Sequence, residues 1–218
     1  MELVDFSREQ LIDYVDCQLQ HFFPDKRRGE RTLLAQHMDE TLARLNHCIN
    51  AVRMWTPNQF YYLHSEQYTT FLYFLANTLW RHTQQEALCN KLFFLNKSLN
   101  GFNCFYSIAL PDIFFIGHSL GIVLANTQFG NYLVLYQNVT VGKNHGAAPT
   151  IGEGVIFYPH SAVIGGCRIA DHTVLAQGTR VMGRDTTGQC LVFPGAAGEV
   201  LEKPLRRPIL NDIFRLTN

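Results

Sequence analysis

The side chains best suited to chemistry in this chain of 218 residues are its nine histidines and six cysteines. His118 lies between Gly117 and Ser119, directly after the apolar run Ile113 to Ile116. An imidazole just outside an apolar run, flanked by small residues, suits a general base that takes a proton from a hydroxyl and returns it to a leaving group. His145 opens the segment His145-Gly146-Ala147-Ala148-Pro149-Thr150, two residues after Lys143. With His160 and His172 these histidines are also the candidates for a zinc site, which needs three imidazoles about 2.0 to 2.1 Å from one metal. The cysteines (Cys17, Cys48, Cys89, Cys104, Cys167, Cys190) form no CxxC pair. They read as reduced thiols packed as small hydrophobes, with no disulfide frame.

What must position these residues is a six-residue repeat. One residue in six is large and apolar: Val123, Phe129, Leu135 and Val141, then after a step of ten Ile151, Phe157, Val163, Ile169, Leu175 and Val181. Four residues beyond each stand mostly small or β-branched side chains, among them Val139, Val155, Ser161, Cys167, Thr173 and Thr179. No α-helix has this period. It marks a parallel β-helix, in which three hexads make one triangular coil and the large residues fill the prism. Extended back to Pro111, the register gives about four coils. The ten-residue step expels four residues within 145–150 as a loop, and the position of His118 just after the apolar run Ile113 to Ile116 places it on a corner. His118 and His145 are 27 apart, or 23 without the loop, and not the 18 of a full coil. His160 and His172, 12 apart, fall on different faces, so a metal site is set aside.

The first hundred residues carry a helical period instead. Ser7 and Gln10 form a capping box ahead of Leu11, Ile12, Val15 and Leu19, with Pro24-Asp25 ending that helix. A second helix over about 29–53 aligns Leu34, Met38, Leu42, Leu45, Ile49 and Val52. A third covers about 66–81 with Leu72, Leu75 and Leu79, and Thr83 with Glu86 forms a second capping box for a fourth. Tyr61, Tyr62, Tyr68 and Tyr73 read as packing residues. The fold class is thus α+β: a helical domain (1–102), a parallel β-helix (103–198) and a tail (199–218) that caps the last coil, whose strand edges would otherwise be unpaired.

The chain is 47% hydrophobic with a formal net charge of zero, and its basic cluster Lys26, Arg27, Arg28, Arg31 is interleaved with Asp25 and Glu30. Nucleic acid is a poor partner for such a charge pattern. The sequence shows neither a signal-peptide layout nor an apolar run of the roughly 18 to 20 residues that cross a bilayer, and a cytoplasmic location is expected.

Ile116-Gly117-His118-Ser119-Leu120-Gly121-Ile122-Val123 and Gln137-Asn138-Val139-Thr140-Val141-Gly142, one coil apart and following a helical domain, resemble the serine acetyltransferase family and its relatives in polysaccharide biosynthesis. Those families carry His-x-x-Gly-Ile-Val and Gln-x-Val-Thr-(Ile/Leu)-Gly segments at this separation. The resemblance implies a left-handed hexapeptide-repeat β-helix and an acetyl-CoA-dependent O-acetyltransferase without a metal. It also implies a homotrimer, or a pair of trimers joined through the helical halves. His118 falls on the family's catalytic histidine. Gly142, Lys143, Ala176, Gly178 and Arg180 fall where relatives border the coenzyme, and His145 in the loop is placed to contact the acceptor.

The departures bear on the substrate. Where the family has a carboxylate fifteen residues before the histidine, to orient its ring, this chain has Asn103, and Asp112 is the alternative orienter. Asn103 can accept an Nδ1–H bond through its carbonyl oxygen but cannot neutralise an imidazolium. Serine-specific members carry an acidic residue immediately before the histidine, here Gly117, and an Arg-His pair in the following loop, here Lys143, Asn144 and His145. A sugar or polysaccharide hydroxyl is therefore the expected acceptor, with L-serine as the alternative. A third reading is a non-catalytic β-helix that serves assembly.

Overall fold

Helix α1 (Arg8–Phe22) begins at the expected capping box: the Gln10 amide donates to Ser7 Oγ at 3.2 Å, and the Ser7 amide donates to Gln10 Oε1 at 2.7 Å. The computed structural model describes residues 1–25 and 29–216; Lys26, Arg27 and Arg28 of the basic cluster lie outside the described residues. Three further helices follow, α2 (Glu30–Ala51), α3 (Ser65–Thr83) and α4 (Glu86–Asn100), and a short parallel pair, β1 (Glu2–Leu3) with β2 (Gln59–Phe60), closes the N-terminal segment onto them. Helix α3 is buried all round from Gln67 to Leu79, which makes it the centre of the helical half rather than a helix with one apolar stripe.

The second capping box does not form. Thr83 stays in the last turn of α3, where its hydroxyl donates to Leu79 O at 2.8 Å and accepts from the Gln85 amide at 3.1 Å, and α4 starts after Gln85 without a side-chain cap. Of the four tyrosines, Tyr68 and Tyr73 are buried, whereas Tyr61 is exposed.

Gly101, left-handed at φ 63°, ends α4 and turns the chain into a parallel β-solenoid. Its first face stacks β3 (Phe102–Cys104), β5 (Ile122–Leu124), β7 (Thr140–Gly142), β10 (Ala162–Ile164) and β13 (Arg180–Met182). A second face carries β8 (Thr150–Ile151) and β11 (Arg168–Ile169), with Phe129 bridged to Ile151. The third face stacks β4 (Phe114–Gly117), β6 (Leu133–Tyr136), β9 (Ile156–Phe157), β12 (Val174–Leu175) and β14 (Cys190–Pro194). The solenoid has about five coils rather than four, because β3 begins a coil before Pro111, where the hexad count started.

Coil length, not only composition, sets who faces inward. From Val163 to Val181 the large residues of the repeat fill the prism as expected. Val123 does not: it is 42% exposed while Ile122 and Leu124 point inward. The reason is register, since Leu124, not Val123, stands opposite Val141. The ten-residue step behaves as read: Gly142 is opposite Ile164 and Thr150 opposite Arg168, so four residues more separate the lower-numbered pair.

The tail caps the last coil through β15 (Val200–Pro204), antiparallel on β14. It then returns past the short α5 (Leu210–Ile213) to the helical half, where Phe214 bridges Val52 and is buried. Arg215 donates to the carbonyls of Asn50, Val52, Arg53 and Trp55. Of these, the Asn50 carbonyl belongs to the last turn of α2, where no further helical amide follows to pair it. Five cysteines are buried and Cys17 is exposed; burial pushes the Cys48 and Cys89 thiols up to about 12.

Candidate active site

The corner between β4 and β5 is longer than the one stacked on it. Gly117 stands opposite Tyr136 and Val123 opposite Thr140, so two extra residues are accommodated in the corner that carries His118. His118 adopts φ 55°, and its side chain is 74% exposed. The bulge is tied down beside it: Ser119 Oγ donates to Asn100 O at 2.7 Å, and the Gly121 amide donates to Gly101 O at 3.1 Å. The imidazole is therefore free while its backbone is anchored to the end of α4.

Facing His118 is a group that sequence reasoning missed. Glu66, in the first turn of α3, places Oε1 3.9 Å from His118 Nδ1 and Oε2 3.2 Å from His64 Nδ1, and accepts a 2.8 Å hydrogen bond from Ser65 Oγ. Burial works against its charge, but the Ser65 hydroxyl, its own backbone amide and the two imidazoles outweigh that and hold the carboxyl below the usual glutamate range. Nothing in the local sequence links residue 66 to residue 118; the packing of α3 against β4 brings them together.

Asn103 is half-buried on β3 opposite Val123 and makes no hydrogen bond to His118 among the described residues. Asp112 is exposed, and its charge is felt by Arg44 and Cys48, on α2. The carboxylate in ion-pair range of His118 is therefore neither of the expected orienters.

The remaining candidates border the first face of the prism. Gly142 ends β7, and Lys143 leads into a two-residue hairpin closed by Asn144 and Ala147, with reciprocal amide bonds of 2.9 and 3.0 Å. His145 (φ 47°) and Gly146 (φ 81°) form its tip, both left-handed as a type I′ turn demands. Arg180 begins β13 on the same face and is exposed. Gly178 (φ 73°) turns the corner before it, with open space where a side chain would stand, and Ala176 donates its amide to Val192 O at 2.9 Å. His118 and Gly178 thus mark one edge of the first face, Lys143 and His145 the other. The face exposes Leu120 (65%), Val123 and Met182 (64%).

The four histidines considered for zinc share a different property. His118, His145, His160 and His172 all have positive φ, a conformation in which histidine is enriched among non-glycine residues. His172 turns another corner than His160, and the described residues hold no group of three His, Cys, Asp or Glu placed to bind a metal ion. A cavity of about 470 Å³ lies elsewhere, between the tail and the prism, lined by Ile156, His172, Val174, Leu205 and Leu210 among others. It is remote from His118 in the topology and contains none of the residues discussed as the site.

The fold of this chain, a helical half running directly into a parallel β-solenoid, is similar to that of solved serine acetyltransferases. The serine acetyltransferase of Neisseria gonorrhoeae superposes with a TM-score of 0.71 at 17% identity, covering 95% of this chain and 84% of that one. The enzyme of Brucella abortus strain S19, in complex with coenzyme A, gives 0.64 at 14% identity, with 92% and 84% covered. Isoform 3 from Entamoeba histolytica, in complex with cysteine, gives 0.61 at 17% identity, with 88% and 72% covered. No protein-family model matches the chain, and no curated protein matches it in sequence. At these identities the likeness is one of fold.

Proposed function

We propose that the protein is an acetyl-CoA-dependent O-acetyltransferase of the serine acetyltransferase type, with His118 as general base and L-serine or a similarly small hydroxyl compound as acceptor. The observation that carries the reading is an exposed imidazole with a carboxylate at 3.9 Å, on a corner of a serine acetyltransferase-type solenoid. His118 accepts the acceptor's hydroxyl proton as the oxygen attacks the thioester carbonyl, and returns it to the departing thiolate. A thioester is already activated, so no acyl-enzyme is required. Exposed Lys143 and Arg180 suit the phosphates of coenzyme A, and the open backbone at Gly178 suits its slender pantetheine arm. The exposed apolar side chains of the first face fit a groove completed by a neighbouring copy, as in a trimer.

The structural neighbours favour this acceptor over the sugar or polysaccharide hydroxyl expected from sequence. One observation favours the sugar reading: Gly117 is buried against Tyr136, which leaves no space before His118 for a carboxylate that would hold an amino group. Thiol release from acetyl-CoA with L-serine, homoserine and a set of sugars tests both. L-serine-dependent release, abolished by His118→Ala, is the expected result; release with sugars alone moves the acceptor class, and release unaffected by His118→Ala refutes the mechanism. Absence of turnover with every acceptor would leave the non-catalytic reading.

A further inference from the structure

Resting on the base role of His118, we propose that Glu66 is its positioning residue: a carboxylate supplied by the helical half in place of one on the preceding strand.

Three observations support it. Glu66 is the better fixed of the pair, with its side chain only 20% exposed against 74% for His118. Its Oε2 accepts the Ser65 hydroxyl at 2.8 Å and lies 3.2 Å from His64 Nδ1, while Oε1 stands at ion-pair distance, 3.9 Å, from His118 Nδ1. Its platform is rigid, because the next residue, Gln67, is buried and accepts the Tyr61 amide at 2.8 Å, and α3 is buried from there to Leu79. The other end of the contact is anchored to the same half of the molecule through Ser119 and Asn100. The groups facing His118 are thus Glu66 with His64 and Ser65 behind it, and Asn103 has no charge to offer.

The chemistry follows from which nitrogen is engaged. A carboxylate beside Nδ1 favours the tautomer with its proton there and leaves Nε2 as the base. When Nε2 takes the hydroxyl proton, the imidazolium is compensated by Glu66, which stays ionised throughout; the proton passes from acceptor to His118 to the coenzyme thiolate. The positive end of α3 beside Glu66 favours that anionic state, against the opposing effect of its burial.

The rival role for Glu66 is to pair with an ammonium group of the acceptor, and the kinetic split separates the two. With acetyl-CoA and L-serine, Glu66→Gln is expected to lower kcat roughly 10- to 100-fold, with KM for both substrates within about twofold, while Glu66→Asp recovers part of the loss. A rise in KM for L-serine with kcat kept would overturn the proposal. A second measurement needs no turnover: long-range ¹H–¹⁵N correlation of the full-length protein should show neutral His118 in the Nδ1–H tautomer, changing to a mixture in Glu66→Gln. A mixture in the unmodified protein overturns the proposal. Pinned tautomer without any transfer activity refutes the enzymatic reading and leaves the positioning intact; His118-dependent activity with an indifferent Glu66→Gln does the reverse.

Discussion

Gly117 decides whether a side chain can precede His118. It ends β4 opposite Tyr136, and a Cβ built on it would lie 2.7 and 2.8 Å from Tyr136 Cε1 and Cδ1 and 3.1 Å from Phe115 Cε1. Ordinary contacts begin near 3.4 Å. The Tyr136 ring is not free to withdraw: it stacks on Tyr158 with centroids 5.5 Å apart and planes 3° apart, and meets Phe115 edge-on at 6.1 Å. Gly117→Ala must therefore displace a packed ring by about 0.7 Å, an overpacking that costs about 1–3 kcal/mol. For a chain of this size that lowers the melting temperature by roughly 2–12 °C. The assay is thermal unfolding of Gly117→Ala, Tyr136→Ala and the double variant. The collision gives the pair a coupling energy of about 1–2 kcal/mol, the double variant being more stable than the sum of singles implies. Unchanged melting in Gly117→Ala, or additive effects, would refute the steric argument and with it the exclusion of a carboxylate at this place.

Three other expectations are independent of that collision. Tyr73 donates to Ile108 O at 2.8 Å and accepts from the Leu110 amide at 2.8 Å, tying α3 to the first coil. Tyr73→Phe leaves two buried backbone groups unpaired and should cost about 2–4 kcal/mol in urea unfolding, against no loss if water replaces the hydroxyl. The Glu66 carboxyl is held below its ordinary range in the folded protein, so its contribution to stability is complete above the unfolded value near pH 4.3 and is lost as pH falls through the lower folded value. Stability curves of the unmodified protein and Glu66→Gln should therefore converge on acidification, and parallel curves below about pH 4.3 would contradict this. Native thiol labelling should modify Cys17 rapidly and Cys48 and Cys104 only after unfolding, because burial raises both buried thiols; fast labelling of either by mass spectrometry would show the core to be open.

The sequence made the solenoid legible where coils are regular. From Ile151 onward each large residue is followed by a small one at the corner, and burial agrees at Val155, Ser161, Thr173 and Thr179. The hairpin between Gly142 and Thr150 was readable as a surplus of four residues, because the repeat resumes in phase. Val123 was misplaced since periodicity sees residue types and not strand register, and the coil that precedes it, from Asn103, is longer than the one that follows it, to Thr140. His118 was locatable because it directly follows an apolar strand. Its partner was not: the ring-facing carboxylate arrives from α3, and no spacing rule spans two independently folded periods. Arg215 escaped for the same reason, since a guanidinium on carbonyls at the far end of the chain leaves no local pattern.

His118 owes its exposure to a remainder, the two residues left over when the coil of β4 and β5 is laid on the coil of β6 and β7. A solenoid tolerates such surpluses because each coil only has to match its neighbours along the strands. Its chemistry is then encoded in length as much as in side chains. Excising His118 and Ser119 together would restore equal corners and leave strand pairing unbroken, removing the proposed base while the prism keeps its stacking. A change in corner length, more than a substitution, is thus the edit this architecture absorbs with the least disturbance to its core.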